Sequence, residues 1–148
     1  MNSVKTRECE MLEDAYKNMK MGSDSILKVL PKASNENFRA ALTTQLSGYE
    51  EYSEKAKEML AYHGYKAKEE NPMTKLWASI GVAMNTMMDS SDSHLAQMVV
   101  EGSTMGVTET LKLLRENENS GACEKSLQLL RDIISFEEKN VEVMKSFI

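Results

Sequence analysis

Phe38, Leu42, Gln45, Tyr49, Tyr52, Ala56, Met59 and His63 recur at alternating intervals of four and three residues, with charged residues filling many of the places between. That spacing is one face of an α-helix, not the period-two alternation of a strand. Three neighbouring members of the seam, Gln45, Tyr49 and Tyr52, carry polar atoms on a face that should be apolar. The seam therefore either lines a site or belongs to a core with a few satisfied hydrogen bonds.

The rest of the chain repeats the pattern. Leu12, Tyr16, Met19, Ser23, Ile26 and Leu30, widened by Ala15, Gly22 and Val29, predict a helix over about 4–30 that Pro31 stops. Ser34 and Asn35 offer an N-cap for the second helix, about 34–63, which Gly64 ends. DSSDS at 89–93 is rich in side chains that compete for the backbone and predicts a break before a helix over about 91–116. NENSGA forms a turn, and Leu127, Leu130, Ile133, Ile134, Val141, Met144 and Ile148 face inward on a last helix over about 121–148. Between the two hairpins, residues 64–90 are too many for a turn. With Pro72 opening a helix over about 72–89, they are expected to travel the length of the bundle, so that the third helix starts parallel to the second. The expected fold is a single all-α domain over 1–148, an up-down-down-up four-helix bundle with a helical crossover.

Composition removes several functions. Gly (7) and Pro (2) are scarce, as in helical chains, and a net charge of −5 with interspersed signs provides no basic stripe for nucleic acid or an anionic membrane surface. The start MNSVKTRECE has no apolar run after its basic residues and no segment is apolar enough to span a bilayer, which predicts a cytoplasmic protein. Cys9 and Cys123 have no CxxC or Cys/His metal spacing, and are expected to be buried or half-buried free thiols. No phosphate loop, nucleophile elbow or zinc motif is present.

Paired long helices joined by one long crossover resemble the ferritin-like superfamily, and across nearly the whole chain the pattern is similar to the small bacterial ferritin-like, rubrerythrin-related proteins of unknown function. The resemblance is architectural. The superfamily's di-iron members supply a Glu from each of two helices and a Glu-x-x-His from each of the other two. In the first helix Tyr16, Met19 and Ser23 face inward, while Glu13, Asp14 and Asp24 fall on the solvated side. The second helix offers Tyr49-x-x-Tyr52 in place of Glu-x-x-His, and the fourth offers Glu137-x-x-Asn140. The third places Gly102, Ser103 and Gly106 in its most apolar face, for close helix contact.

A conventional di-iron site is therefore not expected. Tyr16, Tyr49, Tyr52, Ser103 and Glu137 stand near the midpoints of their helices and predict a central polar layer, with Glu137 accepting from Tyr49 or Tyr52. The alternative is a non-standard iron or manganese site using Glu137, or His94 and Glu101 on the stripe that also holds Met98 and Met105. A third reading is an apolar ligand beneath Trp77, Met84 and Met87, although methionine is more often adaptable packing. Burial of the Met98 and Met105 stripe against the crossover or a second subunit predicts a homodimer. The expected role is non-enzymatic, structural or protein-interacting, with no cofactor.

Overall fold

The computed structural model describes residues 6–68 and 88–148. Within them the chain forms four α-helices and no strand: α1 (Arg7–Val29), α2 (Glu36–Tyr62), α3 (Asp92–Asn117) and α4 (Glu124–Lys145). No described helix is long and apolar enough to cross a membrane. Of the crossover helix expected over 72–89, residues 72–87, with Trp77, Met84 and Met87, lie outside the described residues, as do residues 1–5, and residues 88–89 are not helical.

Each helix begins and ends for a local chemical reason. The Thr6 hydroxyl accepts from the Cys9 N–H at 3.1 Å and caps α1. Pro31 closes that helix in a 3₁₀ turn, Leu30–Lys32, and the Arg39 guanidinium donates to the carbonyls of Leu30 and Ala33, both at 3.0 Å, to hold the corner. The Asn35 side-chain Oδ1 accepts from the N–H groups of Asn37 and Phe38 at the start of α2. Its end is a Schellman turn in which Tyr65 N–H donates to Leu60 O and Gly64 N–H to Ala61 O, both at 2.9 Å. Gly64 takes φ +74° there, and Gly121 takes φ +83° in the turn between α3 and α4. Ser91 caps α3, so the chain does break at the Asp/Ser-rich segment.

α1 packs along α2 and α3 along α4. The two hairpins meet through α1 against α3 and α2 against α4. At one end of the molecule the Asp92 carboxylate accepts from the N–H groups of Ser34 (2.9 Å) and Asn35 (2.8 Å), which puts the N-termini of α2 and α3 side by side. The Phe38 and Phe147 rings pack there at a tilt of 46° with centroids 5.2 Å apart, bringing residue 147 to the same end. At the other end Arg7 donates to Glu116 O, and Glu8 reaches both His63 and Cys123. Between the ends runs one apolar core, including Leu12, Met19, Phe38, Leu42, Leu60, Leu95, Leu130, Ile133 and Met144.

Several expectations are corrected. The buried seam of α2 passes Phe38, Leu42, Gln45, Tyr49 and Ala56 and then reaches Leu60, leaving Met59 half-buried and His63 exposed. A strict seven-residue repeat drifts about 20° per heptad on a straight 3.6-residue helix, so the inward position slips by one after two heptads. Glu13 is 2% exposed, not solvated, because α1 is enclosed around most of its first half. Its carboxylate pairs with Lys17 Nζ at 3.4 Å. Ile148 is exposed, since α4 ends at Lys145, and Cys123 is exposed because it caps α4 at the end of the bundle.

Candidate functional site

A polar layer crosses the middle of the bundle. Tyr49 projects from α2 between α1 and α4, where its ring lies against Gly22 so closely that a Cβ at that position would overlap three ring atoms. The edge of the Tyr49 ring meets Phe136, with centroids 5.0 Å apart and planes at 82°. Held in this way, the hydroxyl donates to Glu137 Oε2 at 2.6 Å and lies 3.3 Å from Ser103 Oγ. Glu137 from α4 rests on Gly106 of α3, where a Cβ would stand 2.6 Å from Oε1. Gly106 thus makes room for a carboxylate, a more specific task than the close helix contact expected of the small-residue face.

All three polar side chains are buried: Tyr49 is 3%, Ser103 2% and Glu137 2% exposed. Burial pushes the Glu137 carboxyl up to about 7, against the lowering effect of the bonds from Tyr49 and Ser103. Burial, followed by the neighbouring Glu137 charge, raises the Tyr49 hydroxyl well above its ordinary value. Asn140 lies near the same hydroxyl and acts in the opposite direction, while its Nδ2 stays outside hydrogen-bond geometry. Below about pH 7 the layer therefore holds both a neutral carboxyl and a neutral phenol.

The structure brings Tyr49, Ser103 and Glu137 together. Tyr16 is buried on α1. Tyr52 is half-buried and does not join the hydrogen-bonded group; its ring leans on Phe136 at 5.1 Å and the Lys55 ammonium sits 5.2 Å from its centroid. Seven residues separate Tyr49 from Ala56 on the buried seam, and Tyr52 falls beside that line for the same helical drift that displaces Met59. Gln45 and Asn140 border a groove of about 270 Å³ between α2 and α4, with Ala41, Phe136 and Lys139. Both are buried, and neither amide atom of Gln45 has a hydrogen-bond partner among the described residues.

The residues of this layer do not fit a di-iron centre. Among the described residues the layer offers one carboxylate and no imidazole, and that carboxylate is already engaged by a phenol and seated on a glycine. Among the described residues the His94 and Glu101 stripe forms no ligand cluster either: His94 is half-buried near the start of α3 and Glu101 is exposed.

Among the described residues, one group of three His, Cys, Asp or Glu side chains is close enough to share an ion: Glu8, His63 and Cys123, whose ligand atoms lie within 4.8 Å of one another. Glu8 Oε2 is 3.1 Å from His63 Nε2, and Glu8 Oε1 accepts from the Cys123 N–H at 2.6 Å. Burial raises the Glu8 pKa, but the bonds from Cys123 and the His63 charge outweigh it, so the carboxyl titrates below its ordinary range. The Cys123 sulfur lies 3.4 Å from Ser126 Oγ. Sequence reasoning missed this group because its members are 55 and 60 residues apart. The signal was their position: all three sit at the expected helix ends that the bundle gathers at one pole. No family model matches this chain, and no curated protein matches it.

Proposed function

We propose that the chain is a ferritin-like up-down-down-up bundle that keeps a midplane polar layer as a hydrogen-bonded, proton-holding brace in place of a di-iron centre. Its role is non-enzymatic, structural or protein-interacting, as a homodimer in the bacterial cytoplasm without nucleic-acid or membrane partners. The observation that carries this reading is the 2.6 Å bond from Tyr49 to a buried Glu137 that has no cation or imidazole beside it among the described residues. A di-iron centre needs several carboxylates and imidazoles facing the ions, whereas among the described residues this carboxylate faces hydroxyls. The polar contacts at the two poles support the topology, since they pair the start of α2 with the start of α3 and the start of α1 with that of α4. Half-buried Met98 and Met105 on α3 support a second subunit as cover.

Ferrous iron offered in air tests the reading. The protein is expected to leave its oxidation rate at that of buffer and to scatter light as a dimer. Catalysed oxidation that is lost in Glu137→Gln but retained in Cys123→Ser would establish the midplane layer as an iron site and overturn it.

A further inference from the structure

We propose that Glu8, His63 and Cys123 form a binding site for a divalent transition metal that favours thiolate and imidazole, zinc(II) above all, at the pole where α1 begins, α2 ends and α4 begins. The three donors are a carboxylate oxygen, an imidazole nitrogen and a thiol sulfur, a set that suits zinc or cobalt and not magnesium or calcium. Tetrahedral zinc with bonds of about 2.0–2.1 Å to nitrogen and oxygen separates those two ligands by roughly 3.3 Å. Glu8 Oε2 and His63 Nε2 already stand 3.1 Å apart. The sulfur lies within 4.8 Å of both and needs to approach by about 1 Å, which rotation of an exposed side chain supplies.

The surroundings hold this arrangement. The Cys123 N–H occupies Glu8 Oε1, which turns Oε2 toward the imidazole and joins the first turn of α1 to the start of α4. Ser126 Oγ stands beside the sulfur, and the Tyr62 ring packs edge-on against His63 with centroids 5.6 Å apart. Cys123 is free and exposed, and the His63 side chain is 27% exposed, so an ion reaches the site from solvent. Three protein ligands leave a fourth position for water, the arrangement of an open zinc site and not a closed structural one. Binding exchanges the thiol proton for the metal: the S–H bond breaks, the sulfur–metal bond forms, and the proton passes to solvent with no change of oxidation state.

Cobalt(II) titration of the reduced full chain tests the proposal, because a cobalt–thiolate bond produces a charge-transfer absorption that carboxylate and imidazole do not. The expected result is one equivalent of cobalt with that absorption, displaced by zinc. Cys123→Ser should abolish the band, and His63→Ala should weaken binding by more than about 100-fold, since even outer-shell partners of metal ligands account for 10–100-fold. Cys9→Ser, His94→Ala and Glu137→Gln should leave the titration unchanged, which separates this site from the midplane layer. Circular dichroism of each variant verifies the fold. Absence of saturable binding, several weak equivalents, or binding without the thiolate band that Cys123→Ser leaves intact would each overturn the site and show Glu8 and His63 to be a simple ion pair.

Discussion

The middle of the bundle and its α1/α4 pole are each organised around one carboxylate, Glu137 and Glu8, and their environments drive the two in opposite directions. Glu137 is 2% exposed, faces the hydroxyls of Tyr49 and Ser103, and is pushed up to about 7. Glu8 is half-buried, accepts from a backbone N–H, stands beside an imidazole and is lowered. Taking a charge out of water without a counter-charge favours the neutral acid, while partial exposure and a cationic partner favour the carboxylate. The same residue type is thus pushed toward its neutral form in one place and toward its ionised form in the other, according to what the helices bring beside it.

The sharpest way to break this contrast is to remove the side chain that defines the inner layer. Tyr49→Ala empties the space between Gly22 and Phe136 and leaves Glu137 without its main donor, with an expected loss of about 3–5 kcal/mol in urea unfolding. The next effect is in pH dependence. Because the folded-state pKa of Glu137 is raised from 4.5 to about 7, the folded state holds a proton that the unfolded state releases across that interval. The stabilising contribution is full below 4.5 and is lost as pH rises toward 7, by roughly 3 kcal/mol in all. Glu137→Gln keeps a neutral hydrogen-bonding group and should flatten that slope, as unfolding midpoints measured across the interval will show.

The pole should respond to metal and not to protons in the core. Zinc at a hundred times its dissociation constant is expected to raise stability by about 2.7 kcal/mol in the parent and by nothing in Cys123→Ser, as thermal unfolding with and without zinc reports. Tyr49→Phe, which keeps the ring and deletes only the hydroxyl, should cost about 1–3 kcal/mol and push the Glu137 carboxyl further up. Without metal, His63→Ala should change stability by about 1 kcal/mol or less, because the Glu8–His63 pair is partly solvated. A larger loss in metal-free protein would make the polar cluster a structural clasp and weaken the contrast.

The helices were legible because their caps and breakers are local: Asn35, Pro31, Gly64 and Ser91 act on backbone groups a few residues away. Residues at the inner layer were recognisable from their position on the seams, since Tyr49, Ser103 and Glu137 are polar groups at buried register. What one dimension hides is the azimuth. Tyr52, Met59 and His63 lie on a strict heptad but rotate off the buried face, and Glu13 rotates into an enclosed one. The role of Gly106 depends on a carboxylate 31 residues further along the chain, and the Glu8, His63 and Cys123 group depends on which helix ends share a pole. Neither relation leaves a periodic trace.

Infrared difference spectra of the parent against Glu137→Gln, recorded through a pH titration, test the inner layer most directly. A protonated carboxyl band that belongs to Glu137, persists above the ordinary carboxylate range and disappears with a midpoint near 7 is the result this account predicts. A Glu137 already ionised throughout that interval would contradict it, and would mean that the layer carries a charge whose partner must be sought beside Tyr49 and Ser103.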